Sequence, residues 1–244
     1  MSSDELTQPA GDHVDPLTIL QRGTIEIVGR MPWSSNATFL VSVIDGDDIA
    51  RAIYKPSRGE RPLWDFPSGL FKREVGAYVL SAVTGLNVIP PTVLRNEGPL
   101  GEGSLQWFVE ADFAQHYFTL YEQREDLHDQ MRAMAVFDIV ANNTDRKSGH
   151  CLVGPDGRLW GIDNGLCFAA EYKLRTVIWE FGGEPIASEL LDAIRPLRDD
   201  LPVTLAALLD ADEIDALQER VDDLVTQGTF PIDATGRRYP WPLV

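Results

Sequence analysis

The sequence has little cysteine, no long apolar run and no excess of positive charge. Its 244 residues include only two cysteines, Cys151 and Cys167, which excludes a disulfide framework and favours a reducing compartment. No apolar segment approaches the roughly 18 residues that a membrane-spanning helix requires, and the polar, acidic N-terminus is unlike a signal peptide. We therefore predict a cytoplasmic protein without stable membrane insertion.

The charge balance is strongly acidic. Lys and Arg number 21 against 38 Asp and Glu, which gives a net charge of −17. Such a chain lacks the positive field that drives binding to nucleic acid or to an anionic membrane, so nucleic acid is not an expected partner. A hydrophobic content of 44% and a charged content of 24% are ordinary for a globular protein, and the length suits one large domain or two lobes around a cleft.

Predicted strands dominate the first half of the chain and predicted helices the second. Alternating and β-branched residues predict an antiparallel meander followed by two further strands, at 24–28, 37–43, 49–55, 88–95 and 104–110. Apolar periodicity predicts helices at 70–84, 127–141, 188–197, 203–208 and 212–227, with a hairpin at 151–162. We predict an α+β fold with a flexible tail (1–16), an N-lobe with an antiparallel sheet and one helix (17–110) and a helical C-lobe (111–244).

Two acidic motifs flank the predicted hairpin. Residues 143–146 (Asn-Thr-Asp-Arg) precede it, and residues 162–165 (Ile-Asp-Asn-Gly) follow it. Because a hairpin brings its two ends together, we expect Asp145 and Asp163 on one rim of a cleft. Mg²⁺ prefers one or two carboxylates together with phosphate oxygens. The pair therefore predicts a site that holds a divalent metal and acts on a hydroxyl.

These two motifs resemble the catalytic and metal-binding loops of the phosphatidylinositol 3-/4-kinase-related superfamily. Type II phosphatidylinositol 4-kinases and HipA-type bacterial kinases are the most similar members, together with actinobacterial proteins that carry kinase-like motifs. The resemblance covers about residues 24–168 and implies a two-lobed kinase-like fold that uses ATP with Mg²⁺ or Mn²⁺. It implies that Asp145 orients or deprotonates the acceptor hydroxyl, that Lys147 stabilises the γ-phosphate and that Asp163 holds the metal.

The resemblance also implies roles for residues of the N-lobe. Kinases hold the α- and β-phosphates with a lysine on the third strand and fix that lysine with a glutamate on the next helix. Lys55 and Glu74 occupy these positions.

The loop before the second strand stands where a phosphate-covering loop lies in kinases. It has a single glycine, so the resemblance assigns phosphate binding to backbone amides and to Ser34, Ser35 and Asn36. Residues 106–111 stand where a hinge strand contacts adenine, and Glu110 is assigned to nucleotide binding there.

His150 departs from the family pattern, which has asparagine, a second metal ligand, five residues after the catalytic aspartate. Imidazole suits softer metals better than Mg²⁺, so His150 as a ligand predicts a preference for Mn²⁺. It also predicts nucleotide binding that weakens as the pH falls through about 6.5. The alternatives are a phosphate-facing or packing His150, or a degenerate site. Asp138 is interpreted as a structural residue that holds the catalytic loop.

The predicted activity is ATP-dependent transfer of the γ-phosphate to a hydroxyl of a protein or soluble small molecule. A lipid acceptor is less favoured because the chain lacks a basic amphipathic helix, a cysteine-rich palmitoylation stretch and net positive charge. Three alternatives stay open: a nucleotide-binding pseudokinase that acts by partner binding, a phosphoinositide kinase, and an enzyme that transfers AMP from ATP.

Overall fold

A computed structural model describes residues 15–32, 34 and 36–243. The helices and strands follow one another as α1 (Pro16–Arg22), β1 (Thr24–Arg30), β2 (Phe39–Asp45), β3 (Asp48–Pro56), α2 (Leu70–Val83), β4 (Thr92–Arg95), β5 (Gly103–Trp107), α3 (Tyr117–Gln123), α4 (His128–Val140), β6 (Cys151–Val153), β7 (Leu159–Gly161), α5 (Ser188–Ile194), α6 (Val203–Ala206) and α7 (Ala211–Gln227). Most of the predicted tail, residues 1–14, lies outside the described residues, and Pro16 already belongs to α1.

The first five strands form one antiparallel sheet in the order β1-β2-β3-β5-β4. Alternate residues of the strands, such as Val41, Val43 and Ala52, point to one buried face, as period-two alternation requires. Helix α1 covers this face with Ile19 and Leu20. The predicted meander is therefore present, and its third strand ends beside Lys55.

The helical part has a second, larger core. Helix α4 is buried over most of its length, and α7 packs Leu217, Val221 and Leu224 into the same cluster. Helix α2 also contributes Ala77 and Leu80 to this cluster, so it joins the sheet to the helical part. The predicted α+β fold, with an antiparallel sheet before a mainly helical part, is confirmed. The predicted lobe boundary near residue 110 stays a prediction.

Two local predictions are wrong in their bounds. Strand β4 begins at Thr92 instead of residue 88, because Pro90 and Pro91 have no N–H to donate to a neighbouring strand. The strand predicted at 104–110 is β5, which ends at Trp107. The chain therefore leaves the sheet before Glu110. Among the described residues, no helix has both the length and the apolar character needed to cross a bilayer.

Candidate active site

Lys55 lies at the centre of a group of three charged residues. Its Nζ donates a hydrogen bond to Asp163 Oδ1 at 2.7 Å and another to Glu74 Oε1. Burial opposes the charge on Lys55, but Asp163 and Glu74 outweigh this effect and raise the pKa of the ammonium. Chiefly because of Lys55, the pKa of Asp163 is well below its usual range. Both groups are therefore charged at neutral pH.

Glu74 connects three elements through one carboxylate. Its Oε1 accepts from Lys55 on β3, and its Oε2 accepts the backbone N–H of Asn164 at 3.0 Å. A Cβ atom at Gly165 would lie 3.3 Å from Glu74 Oε1, so the glycine lets the loop after β7 approach α2 closely. The predicted Lys55–Glu74 pair thus lies against the Asp-Asn-Gly turn.

Asp163 adopts a left-handed backbone conformation, with φ of 58°. Non-glycine residues with positive φ are uncommon, although Asp and Asn tolerate this region better than most. Such a conformation persists only where surrounding contacts enforce it, and here Asn164 and Gly165 are held by α2. The turn directs the Asp163 carboxylate towards Lys55.

The loop that contains Asp145 is fixed by a fully buried ion pair. Arg146 and Asp138 are both 0% exposed, and Arg146 Nη2 lies 3.0 Å from Asp138 Oδ1. Arg146 also donates to the Ile162 carbonyl at 2.9 Å and to Asn164 Oδ1 at 2.7 Å. This one side chain therefore joins the loop of Asp145 to the loop of Asp163. Asp138 has the structural role interpreted for it; the role of Arg146 was not predicted.

Asp145 and Asp163 line the same cavity, of about 290 Å³, together with Lys55 and Glu74. The Asp145 backbone N–H donates to Asn143 Oδ1 at 3.0 Å, which fixes the start of the side chain. Burial raises the pKa of Asp145, although Lys147 counteracts this with an ion pair at 3.0 Å. The structure thus brings the two predicted loops together.

His150 lies beside Asp163, with 3.6 Å between its Nε2 and Asp163 Oδ2. Burial lowers the pKa of His150 to about 4. The predicted titration near pH 6.5 is therefore wrong, because desolvation outweighs the attraction of Asp163. The imidazole is neutral at physiological pH, which is the form that binds metals. Its role as a ligand stays a prediction.

We predict that His150 makes the folded state sensitive to acid. Between about pH 4 and 6.5 the unfolded chain binds a proton at this histidine and the folded chain does not, so the folded state loses stability as the pH falls. By pH 4.5 the loss reaches about 2–3 kcal/mol. Urea unfolding at pH 7 and pH 4.5 measures this loss of stability. Between these two pH values, His150→Asn should lose about 2–3 kcal/mol less than the wild type. Parallel losses in both proteins would contradict the buried neutral histidine.

The loop between β1 and β2 is held by its own side chains. Ser34 Oγ lies 2.8 Å from Thr38 Oγ1, and Asn36 Oδ1 accepts the backbone N–H of Arg61 at 2.9 Å. Ser34 and Asn36, which were predicted to belong to a phosphate-covering loop, both line the cavity. The Asn36 carbonyl oxygen is already engaged in holding the loop. Ser35 lies outside the described residues.

Glu110 is not in the cavity of Lys55. It pairs with Arg51, four residues before Lys55 on β3, and both line a second cavity of about 530 Å³. Phe108 and Trp160 line this cavity too. Residues 51 and 55 face the same side of β3, about 13 Å apart at the rise of an extended strand. Glu110 therefore lines a different cavity from Lys55, Asp145 and Asp163.

One residue that lines the Lys55 cavity had no sequence signal. Glu60 lines the Lys55 cavity, and its two carboxylate oxygens accept the backbone N–H groups of Gly69 and Phe71 at 2.9 and 2.8 Å. It thereby caps the start of α2, the helix that carries Glu74. Its partners are nine and eleven residues away along a Pro- and Gly-containing loop, so no local motif marks this contact.

The donor set fits a nucleotide with its metal. The described residues contain no group of three or more His, Cys, Asp or Glu side chains suited to hold a metal on their own. Mg²⁺ in kinase-type sites is bound by one or two carboxylates and completed by phosphate oxygens, and Asp163 offers such a carboxylate beside the cation of Lys55. The cavity therefore matches a site in which metal and phosphates enter together.

Comparison with known proteins identifies one relative that matches most of this chain and two that match about half of it. Protein Rv2133c of Mycobacterium tuberculosis is 37% identical over 265 residues, covering 93% of this chain and 95% of that protein. Phosphatidylinositol 4-kinase gamma 3 of Arabidopsis thaliana is 29% identical, and phosphatidylinositol 4-kinase gamma 4 of Oryza sativa is 30% identical. Each plant match covers 54% of this chain, but only 29% and 27% of the respective plant protein.

The family match covers the two acidic loops of the site, whereas Lys55 and Glu74 lie before the matched range. The family described as phosphatidylinositol 3- and 4-kinase matches residues 81–205, about half of the 244 residues. This range includes α4, both acidic loops and the hairpin between them. The resemblance drawn from the two motifs is confirmed, and with it membership of a family of kinase-type phosphotransferases, which in general use ATP and a divalent metal. The chain belongs to the phosphatidylinositol 3- and 4-kinase family.

Proposed function

We propose that this chain is an ATP-dependent kinase that transfers the γ-phosphate to a hydroxyl of a protein or a soluble small molecule. The observation that carries the proposal is the contact of Lys55 with both Glu74 and Asp163, in a cavity that also contains Asp145. A cation held by two carboxylates beside a further carboxylate is the set of charges that phosphoryl transfer requires. The cytoplasmic location stays a prediction.

Each residue has one role in this proposal. When bound, ATP and its divalent metal supply the phosphoryl group and neutralise the charge that develops on it. Lys55 binds the α- and β-phosphates, and Glu74 keeps its ammonium in position. Asp163, with His150 as a second candidate, holds the metal.

Asp145 accepts the proton of the acceptor hydroxyl. The pKa of Asp145 is raised by burial, which makes the carboxylate a better base than an exposed aspartate. Lys147 is paired with Asp145 at 3.0 Å, so in this proposal it moves to the γ-phosphate when the nucleotide binds.

The net charge of the chain favours a soluble acceptor. A net charge of −17 opposes docking on an anionic membrane, which favours an acceptor that comes to the protein in solution. One observation favours a lipid acceptor as the second candidate. Leu63 lines the Lys55 cavity, and the neighbouring Trp64 is 96% exposed; an exposed tryptophan is typical of surfaces that enter a membrane interface. Phosphoryl transfer to phosphatidylinositol in vesicles is measured for the wild type and for Trp64→Ser. Transfer that is lost in the variant supports the lipid acceptor, and no transfer by the wild type supports the soluble acceptor.

We predict that ATP with Mg²⁺ or Mn²⁺ stabilises the protein. At a concentration 100 times the Kd the gain is about 2.7 kcal/mol, which raises the Tm by about 5–10 °C in a chain of this size. Asp163→Asn should remove the metal-dependent part of this shift. Asparagine tolerates the left-handed conformation of residue 163, so the unliganded variant should fold. The measurement is thermal unfolding with ATP, with and without metal, and an undiminished shift in the variant would place the metal elsewhere.

A further inference from the structure

A second cation lies in the cavity that contains Lys55. Arg61, five residues beyond the end of β3, lines this cavity together with Lys55, Asp145 and Asp163. Among the residues that the structure describes, none pairs its carboxylate with Arg61. Lys55, in contrast, is engaged by two carboxylates. Arg61 is therefore the cation of the cavity that has its donors available.

The backbone of Arg61 is fixed to the loop between β1 and β2. Arg61 N–H donates to Asn36 Oδ1 at 2.9 Å, and Ala37 N–H donates to the Gly59 carbonyl at 3.0 Å. A side chain at Gly59 would collide with Ala37, so the glycine is what permits this close contact. The loop and the segment after β3 form one unit, and the position of Arg61 follows from it.

The described polar side chains of this loop, those of Ser34, Asn36 and Thr38, hold one another and the Arg61 backbone, and none of them carries a positive charge. The Ser34 and Thr38 hydroxyls bond to each other at 2.8 Å, and the Asn36 carbonyl oxygen accepts from Arg61. Loops that cover phosphates usually do so with several glycines whose backbone N–H groups approach the ligand, whereas residues 31–38 between β1 and β2 contain none, and Gly29 lies within β1. Because residues 31–38 include no Lys or Arg, a cationic donor on this side of the cavity has to come from another segment.

The side chains that line the cavity carry a net negative charge, which disfavours a phosphate unless a further cation contacts it. The cavity is lined by two cations, Lys55 and Arg61, and by four carboxylates, those of Glu60, Glu74, Asp145 and Asp163. A nucleoside triphosphate such as ATP adds further negative charge to the cavity. A guanidinium stays charged at all relevant pH values and binds phosphate oxygens with two parallel hydrogen bonds. Arg61 has the chemistry that the loop lacks.

We propose that Arg61 binds the terminal phosphates of ATP and replaces the donors of a glycine-rich loop. This inference rests on the proposed function, because it requires a nucleotide in the Lys55 cavity. A phosphate group on the acceptor has the same chemistry, so the test includes both sources.

The test compares Arg61→Gln with Arg58→Gln in the full-length protein. Both variants remove one positive charge from the same segment, but the Arg58 guanidinium lies beside Gly101 and outside the cavity. Binding of a non-hydrolysable ATP analogue, of adenosine and of a soluble inositol monophosphate is measured by calorimetry. Arg61→Gln should weaken binding of the ATP analogue by about 10- to 100-fold, the effect of losing charge-assisted hydrogen bonds. Adenosine binding should be unchanged, and Arg58→Gln should bind all three like the wild type.

Each other outcome overturns the inference in a different way. Equal binding of the ATP analogue by both variants removes Arg61 from the phosphate site. Equal weakening of adenosine and the ATP analogue by Arg61→Gln means that the residue supports the loop only. Loss of inositol monophosphate binding with intact binding of the ATP analogue assigns Arg61 to the acceptor. If the wild type itself binds no ATP analogue, the proposed function fails together with this inference.

Discussion

Asp145→Asn is expected to lower the rate of phosphoryl transfer by about 10²- to 10⁴-fold, which is the usual contribution of a positioned general base. The substitution keeps the size of the side chain and the backbone contact to Asn143. It removes only the carboxylate that accepts the proton. Nucleotide affinity should change little, because this carboxylate acts on the acceptor and ATP is held by Lys55 and the metal. The measurement is the turnover of γ-labelled ATP alongside the Kd for the nucleotide.

Asp192→Asn is the matched control for this variant. Asp192 lies on α5 in an exposed pair with Arg195 at 3.0 Å, so the same chemical change there should leave turnover intact. Equal turnover by Asp145→Asn and the wild type would contradict the catalytic assignment. Because burial raises the pKa of Asp145, wild-type turnover should also fall on acidification at a pH above the usual aspartate range.

Arg146→Met is expected to be the most destabilising of these substitutions. It leaves Asp138 as an unpaired charge in a site where both side chains are 0% exposed, and breaking a buried pair in this way costs about 3–5 kcal/mol. For a chain of this size the Tm should fall by about 6–20 °C. Thermal and urea unfolding measure the effect. The variant should also lose turnover, because the loops of Asp145 and Asp163 are no longer joined.

An exposed pair provides the control for the buried one. Arg198 and Asp222 are each 48% exposed and lie 3.0 Å apart, so Arg198→Met should cost less than about 1 kcal/mol. The double variant Asp138→Leu/Arg146→Met should recover part of the stability, since it leaves no unpaired charge. Equal, small losses in Arg146→Met and Arg198→Met would contradict the structural role of the buried pair.

The chemical part of the site was predictable because it lies in short, contiguous motifs. Asp145 and Asp163 each sit in a four-residue motif on either side of a hairpin, and the hairpin itself is marked by turn residues. The kinase resemblance assigned Lys55 and Glu74 by their positions on the third predicted strand and the next helix. The strands, helices and turns that carry these residues have signals that are local in sequence.

The supporting contacts were not predictable because they join residues far apart in the chain. Arg146 reaches the loop of Asp163 across 16–18 residues, and Glu60 caps α2 from a loop. The pKa of His150 depends on burial by surrounding elements, which no motif encodes. Arg61 lines the cavity because of a contact with Asn36 across 25 residues. Tertiary packing decides all of these features.

Helix α1 is a different case, because its signal was present in the sequence. Asp15 accepts the backbone N–H groups of Leu17 and Thr18, and Pro16 is the first helical residue. An aspartate followed by proline is a typical helix start. Helix α3 has no such signal at its N-terminus, since residue 116 is a histidine. Its aromatic residues, Tyr117 and Tyr121, pack against the helical core instead.

The most direct test of the central claim is incubation of the purified chain with γ-labelled and, separately, α-labelled ATP in the presence of Mg²⁺ or Mn²⁺. Candidate acceptors are a protein extract, a mixture of small hydroxyl compounds and phosphatidylinositol vesicles. We predict transfer of the γ-label and not of the α-label, and its loss in Asp145→Asn. Transfer of the α-label would identify an enzyme that moves AMP. Stabilisation by ATP without transfer of either label would contradict the kinase and identify a nucleotide-binding pseudokinase.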